Sequence, residues 1–184
     1  MTTFLYFAYG SNMLTERLRK RCPSAQPVGT AVAQGYRLCF SKKSDDNSGK
    51  ATLEKFDDLK QRAYGVLFEI DEGDRSALDD AEGVGKGYNQ NDDFQIVCLT
   101  DGKKRRATVY LASLDAIDEN LIPYDWYYAL VLAGAIQHRL PIACIADIRR
   151  VMAQPDPQLD RTRRRKALHV LERAGFQWLL KHHP

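Results

Sequence analysis

The chain opens with Tyr6-Phe7-Ala8-Tyr9-Gly10-Ser11-Asn12, an apolar and aromatic run that stops abruptly at a glycine. Residues 4–9 are nearly all apolar, which is typical of a short strand buried on both faces. Residues 13–21 then carry an apolar stripe, and Cys22-Pro23 ends the helix that this stripe predicts. The stretch therefore predicts a buried strand that leads directly into a helix at Gly10-Ser11-Asn12.

Further along the chain, most of the predicted strands fall in the middle and most of the predicted helices fall at the end. The two strands around Asp101-Gly102 form a hairpin signal, and the polar segment 42–50 predicts a loop before an edge strand. This order predicts an α+β fold, with a curved sheet or small barrel and helices packed outside it. The remaining predicted strands are 28–33, 36–41, 51–56 and 63–70, and the predicted helices are 74–81, 124–140, 142–152 and from 160 onward.

The length of 184 residues fits one compact domain, and a hydrophobic fraction of 44% excludes a disordered chain. We expect a main domain over residues 1–153. Residues 154–184 would form a link containing Pro155 and Pro157 and a basic helix packed on the same domain. Residues 161–184 hold seven basic side chains and one acidic, whereas the whole chain has a formal charge of +3. This helix is either a solvated basic surface or an electrostatic patch for RNA, an acidic partner or a polyanionic substrate.

The cysteines and the chain start indicate a cytoplasmic protein. The four cysteines contain no C-x-x-C pair and lie in apolar contexts, which is typical of buried thiols and gives no support for a metal site. The first residues lack the features of a signal peptide, and no apolar run approaches the ~18 residues of a membrane span. We therefore expect no membrane partner, and we assign no role to His182-His183 at the end of the chain.

The Gly10-Ser11-Asn12 turn could hold an anion. Asn12 is a good helix N-cap residue, and the free N–H groups of a first helical turn attract negative charge. Gly10 would let a ligand approach the backbone closely. The segment matches neither a Walker loop nor a dinucleotide fingerprint, and the alternative is a plain strand-to-helix turn capped by Asn12.

A second unusual stretch is Leu78-Asp79-Asp80-Ala81-Glu82-Gly83-Val84, where a short helix meets a glycine-rich segment. A glutamate in this position is most often a solvated acid at a helix end. It would face the unfavourable end of the helix dipole, however, and a carboxylate held there could serve as a general base.

Together, in this order and at this separation, the two stretches resemble the gamma-glutamylcyclotransferase family. The family carries a Y-G-S-N loop directly after its first strand, as in Phe7-Ala8-Tyr9-Gly10-Ser11-Asn12-Met13, and about seventy residues later an L-D-x-x-E-G-V segment. The resemblance covers about residues 3–152. It implies a small mixed, mostly antiparallel β-barrel flanked by helices, to which the basic C-terminal helix would be an addition.

The resemblance also implies a reaction, namely cyclisation of a gamma-glutamyl amine or amino acid to 5-oxoproline with release of the amine. Glu82 would be the general acid/base, and neither a metal nor a cofactor would be needed, because the substrate's own amine is the nucleophile. The implied substrate-binding residues are Tyr6, Tyr9, Gly10, Ser11, Asn12, Tyr88 and Tyr127. An aromatic residue such as Tyr88 or Tyr127 is otherwise more often part of a core.

Three points remain open at this level. The leaving amine could be an α-amino acid, the ε-amine of lysine, a polyamine or an acyl chain of a natural product. The partner would be this small molecule, nucleic acid is not expected, and the chain could be a monomer or a homodimer. The alternative function is a catalytically silent member of the family that binds a small anion or an acylated amine at Gly10-Ser11-Asn12.

Overall fold

The computed structural model describes residues 2–180, so Lys181 of the basic segment and His182-His183 lie outside the described residues. Within this range the chain forms seven strands and five α-helices, together with four short 3₁₀ turns. The strands are β1 (Thr3–Ala8), β2 (Gln26–Gln34), β3 (Tyr36–Lys43), β4 (Gly49–Lys55), β5 (Arg62–Asp71), β6 (Tyr88–Cys98) and β7 (Lys104–Ala112). The helices are α1 (Thr15–Arg19), α2 (Arg75–Glu82), α3 (Asp125–Gln137), α4 (Ile142–Arg149) and α5 (Thr162–Arg173).

Five strands close into a barrel in the order β1-β5-β2-β6-β7. Neighbours pair antiparallel except at the closure, where Tyr6 of β1 lies beside Thr108 of β7 in a parallel pair. The side chains of Phe7 and Phe68 are completely buried, as the apolar pattern of β1 and β5 predicts. The predicted α+β fold with a small, mostly antiparallel mixed barrel is confirmed.

Strands β3 and β4 form a separate two-stranded ribbon. The predicted loop over 42–50 is too long, because β3 continues to Lys43 and β4 already starts at Gly49. A Cβ at Gly49 would lie 1.9 Å from the carbonyl oxygen of Phe40, so glycine here allows close approach of two strands. The second hairpin, β6–β7, also starts earlier than predicted, and Tyr88 is its first strand residue.

The predicted helix over residues 13–21 is broken in two. A 3₁₀ turn over Ser11–Met13 comes first, Leu14 is extended with φ −72° and ψ 112°, and α1 then spans only Thr15–Arg19. The side chains of Met13 and Leu14 are fully buried, and so this kink seats both residues in the core. The strand therefore leads into a tight turn rather than directly into an α-helix.

Helix α3 fixes the position of this turn. Every residue from Trp126 to Ala135 is buried, and a Cβ at Gly134 would lie 2.5 Å from the Cβ of Met13 and 2.6 Å from the backbone nitrogen of Leu14. The backbone of the 3₁₀ turn thus rests directly on α3. Among residues 2–180, no helix is long and apolar enough to cross a membrane.

The segment after α4 is tied to α3. Asp156 is 1% exposed and accepts a 2.9 Å hydrogen bond from Nε1 of Trp126, so the predicted proline-containing link is anchored in the interior. Helix α5 contacts α3 and buries Ala167, Val170 and Leu171.

Candidate active site

A cleft lies between the Ser11–Met13 turn, the end of α2 and the β3–β4 ribbon. All eight residues proposed from the sequence for the site face this cleft, together with two that were not. The lining residues are Tyr6, Tyr9, Gly10, Ser11, Asn12, Ala51, Glu82, Tyr88, Tyr110 and Tyr127. Residues that are more than seventy positions apart in the chain are therefore neighbours in the fold.

Glu82 is the last residue of α2. Gly83 follows in the left-handed conformation with φ 70°, and its N–H and that of Val84 both donate to the carbonyl of Asp79, which ends the helix. The Glu82 side chain is only 16% exposed. Its Oε1 accepts hydrogen bonds from Nδ2 of Asn12 at 2.5 Å and from Nη1 of Arg21 at 3.0 Å. The carboxylate is therefore held in a fixed position at the cleft.

Asn12 does not cap a helix, contrary to the sequence-based prediction. Leu14 occupies the N-cap position of α1, and no side chain caps it. The Asn12 side chain points inward and donates to Tyr6 Oη at 3.1 Å as well as to Glu82, while its Oδ1 accepts from Arg21 at 3.0 Å. The inserted 3₁₀ turn is the physical reason, because it moves Asn12 one turn away from the start of α1.

The backbone of the turn offers hydrogen-bond donors. Within residues 2–180, the N–H groups of Gly10, Ser11 and Asn12 donate to no protein acceptor, although the Gly10 carbonyl accepts from Met13 N–H at 3.0 Å. A Cβ at Gly10 would lie 3.0 Å from the Cβ of Ala51 and 3.5 Å from Oη of Tyr127. Glycine at this position thus allows the turn to lie close against the ribbon and Tyr127.

Five tyrosines line the cleft together with Glu82. Tyr88 Oη donates to the carbonyl of Ala51 at 2.7 Å, and Tyr127 Oη accepts from the Ala51 N–H at 3.0 Å. Tyr9 Oη donates to the carbonyl of Tyr110. Tyr88 and Tyr127 therefore bind both backbone groups of Ala51 in the ribbon.

Burial raises the pKa of all four predicted tyrosines, and nearby negative charge adds to the effect. Glu82 is the second cause for Tyr6 and Tyr9. Burial also comes first for Tyr88 and Tyr127. These hydroxyls accordingly stay protonated and neutral at physiological pH. Tyr9 and Tyr88 already donate their protons to backbone carbonyls, whereas the Tyr6 and Tyr127 oxygens accept hydrogen bonds and their protons can be donated to a ligand.

Sequence reasoning missed Arg21, Ala51 and Tyr110. Arg21 ends the predicted first helix, and an unassigned cation so close to the Y-G-S-N loop was an available signal. Ala51 contributes its backbone N–H and carbonyl, which no side-chain pattern marks. Tyr110 donates to Asp79 Oδ1 at 2.6 Å and so links β7 to α2, a contact that depends on the barrel closing.

None of the four cysteines, all of which are described by the structure, lines the cleft. Burial raises the pKa of Cys22 and Cys39 to about 11 and that of Cys144 to about 12, so these thiols are protonated. Among the described residues, no group of three or more His, Cys, Asp or Glu side chains is arranged to hold a metal ion.

Comparisons with known proteins identify the family and agree with the fold. The family model of the AIG2-like family matches residues 62–148. The chain is 32% identical to the gamma-glutamylcyclotransferase of Homo sapiens over 145 residues, which cover 76% of this chain and 74% of that protein. It is 34% identical to the gamma-glutamylcyclotransferase of Mus musculus over 144 residues, with coverages of 76% and 73%. A solved structure named gamma-glutamyl cyclotransferase superposes with a TM-score of 0.80 at 25% identity, covering 91% of this chain and 99% of the other.

Proposed function

Because the chain belongs to the gamma-glutamylcyclotransferase family of enzymes, we propose that it converts a gamma-glutamyl amino acid or amine to 5-oxoproline and releases the amine. Glu82 is the general acid/base. The observation that carries this proposal is that the Glu82 carboxylate is fixed by Asn12 and Arg21 in a cleft lined by neutral tyrosines. The N–H groups of Gly10, Ser11 and Asn12, which have no acceptor among the described residues, belong to the same cleft.

The reaction starts with a proton transfer. The α-amine of the substrate is an ammonium ion at neutral pH and cannot attack until Glu82 accepts one of its protons. The freed nitrogen then forms a bond to the γ-carbonyl carbon, and the carbonyl electron pair moves to oxygen. Protonated Glu82 gives its proton to the leaving nitrogen, the oxyanion collapses, and the bond to that nitrogen breaks. The ring nitrogen still carries a second proton, which Glu82 removes, so that 5-oxoproline leaves with a neutral amide and the released amine takes up this proton. Such acid–base catalysis typically contributes ~10²–10⁴ in rate.

The other residues of the cleft hold the substrate in a reactive geometry and stabilise the negative charge that develops on its γ-carbonyl oxygen. The substrate chain is flexible, so it has to be held with its nitrogen about 3–3.5 Å from the γ-carbon. The backbone N–H groups of the turn can stabilise the oxyanion as charge develops, because they are fixed before the reaction begins. The protonated hydroxyls of Tyr6 and Tyr127 add neutral donors without adding a competing negative charge.

The test is the release of 5-oxoproline from a panel of gamma-glutamyl amino acids, gamma-glutamyl lysine at the ε-amine and gamma-glutamyl polyamines. We expect the native protein to act on at least one of them and Glu82→Gln to lose at least about 10²-fold in kcat/KM. Glu119→Gln is the matched control, because Glu119 is exposed and makes no side-chain hydrogen bond or ion pair in the described chain. Its activity should equal that of the native protein.

Two outcomes would contradict the proposal. If Glu82→Gln keeps native activity and its native melting temperature, the base lies elsewhere. If the native protein releases no 5-oxoproline but is stabilised by these compounds, the chain is a binding protein of this family and not a catalyst, since only a ligand that binds the folded state raises its stability.

A further inference from the structure

Arg17 lies beside the cleft and has no ion-pair partner in the part of the chain that the structure describes. It belongs to α1, is partly buried, and its Nε donates a 3.0 Å hydrogen bond to Oγ of Ser11. No carboxylate among residues 2–180 forms an ion pair with it, and its two Nη groups make no hydrogen bond there. Ser11 lines the cleft, so the guanidinium is attached directly to the cleft wall.

The other arginine of this region is already occupied. Arg21 Nη1 donates to Glu82 Oε1 and to Asn12 Oδ1, both at 3.0 Å. Arg21 therefore balances the charge of the proposed base, whereas Arg17 is left to balance a charge that the described chain does not supply.

The electrostatic surroundings of Arg17 also favour the binding of a negatively charged ligand. Burial, and then the positive charge of Arg21, lower the pKa of the Arg17 guanidinium. Tyr127, Glu82 and Tyr6 act in the opposite direction. These three residues line the cleft, so the guanidinium lies within electrostatic reach of a bound ligand. A second negative charge in the cleft would relieve the repulsion between the two arginines.

We propose that Arg17 binds the α-carboxylate of the gamma-glutamyl group. With Nε on Ser11, the two Nη groups remain free to hold both carboxylate oxygens, a geometry that guanidinium favours. The proposal rests on the proposed function, and it divides the tasks in the cleft. Arg17 holds the carboxylate, Glu82 receives the proton from the amine on the same carbon, and the Gly10-Ser11-Asn12 N–H groups are left for the oxyanion.

The test combines a variant with a change in the substrate. The native protein and Arg17→Met are assayed with the best gamma-glutamyl substrate and with the same compound carrying a carboxamide in place of the α-carboxylate. We expect the native protein to favour the carboxylate by roughly 10- to 100-fold in kcat/KM, as a charge-assisted hydrogen-bonded pair would give. Arg17→Met should lose most of this preference, and Arg17→Lys should keep part of it, because lysine retains the charge but not the fork.

Lys20→Gln is the matched control, since Lys20 is an exposed cation at the end of the same helix. It should keep the native preference. A general structural defect in Arg17→Met would lower activity on both compounds equally, so an unchanged preference would overturn the proposal even if the variant is slow.

Binding without turnover separates the two proposals. Calorimetry measures the affinity of 5-oxoproline, which retains the α-carboxylate, and of its carboxamide. If no substrate is turned over, the proposed function fails. The role of Arg17 is still supported if Arg17→Met weakens the binding of 5-oxoproline more than the binding of its carboxamide. If the ratio of the affinities for 5-oxoproline and its carboxamide is the same in the native protein and in Arg17→Met, Arg17 does not hold the carboxylate.

Discussion

At the scale of single residues, Asn12 connects the parts of the site. Its amide nitrogen donates to the proposed base and to Tyr6, and its oxygen accepts from Arg21. An asparagine can do both because it carries a donor and an acceptor on one planar group. Asn12 is 3% exposed, so each of these hydrogen bonds is shielded from water. Asn12 is therefore better understood as the residue that orients Glu82 than as a helix cap.

This interpretation predicts the effect of two substitutions. Asn12→Ala removes the donor to Glu82 and should lower kcat/KM about 10²-fold, since losing one preorganised donor typically has an effect of this size. Asn12→Asp keeps the shape but places a carboxylate against Glu82, and it should be at least as impaired. Both are measured by 5-oxoproline release at matched folded concentration. Near-native activity of Asn12→Asp would show that the donor is not needed.

At the scale of elements, the turn and α3 form one packing unit. An alanine in a helix interior usually stabilises a protein by roughly 0.5–1 kcal/mol relative to glycine. At Gly134, however, the added Cβ would lie 2.7 Å or less from the Cβ and carbonyl carbon of Met13 and the backbone nitrogen of Leu14, which cannot move aside without shifting the turn. The packing conflict should therefore outweigh the gain in helix propensity.

Gly134→Ala is accordingly expected to lower the melting temperature, by an amount equivalent to about 1–3 kcal/mol, and to reduce 5-oxoproline release because the Gly10–Asn12 turn moves with Met13. Gly73→Ala is the control, since a Cβ at Gly73 would meet nothing within 4 Å. Thermal unfolding of both variants measures the difference. Equal melting temperatures would mean that the turn is not fixed by α3.

Elements were predictable where a local pattern determines them. The apolar runs of β1 and β5 and the Asp101-Gly102 turn each specify structure from neighbouring residues alone. The start of β4 was not predictable, because Gly49 follows a polar loop. A glycine is required there only because the carbonyl of Phe40, in the neighbouring strand, lies so close to it. The same holds for α1, since the extended conformation of Leu14 is imposed by its burial under α3.

At the scale of the whole molecule, the C-terminal segment is less basic at its surface than its sequence indicates, because two of its arginines pair with aspartates. Arg161 pairs with buried Asp156 through a 2.8 Å contact, and Arg163 pairs with Asp45 through a hydrogen bond of 2.9 Å. These pairs join α5 to the Pro155–Pro157 segment and to the β3–β4 turn. The count of basic residues was visible in the sequence, but the partners that neutralise two of them come from distant parts of the chain.

The stability of the whole molecule is also expected to depend on pH. The reason is that His138 is partly buried in the folded chain and exposed to water in the unfolded chain. His138 lies just after α3, its Nε2 is 2.9 Å from Oγ1 of Thr15, and its ring packs edge-on against Phe68. Burial lowers the pKa of His138 below its ordinary value of 6.5, despite the attraction of Glu16. The fold thus disfavours the protonated ring, and the unfolded chain binds more protons as the pH falls below 6.5.

The contribution of His138 to stability is therefore complete above its unfolded pKa and is lost as the pH falls from there through its lower folded pKa. We expect the melting temperature of the native protein to decrease between about pH 7 and pH 5, and His138→Gln to flatten this decrease. His169→Gln, a change at an exposed histidine, should leave the slope as it is. An unchanged slope in His138→Gln would show that other groups govern this range. A flattened slope would instead show that protonation of His138, which contacts Thr15 of α1 and Phe68 of β5, lowers the stability of the fold in this range.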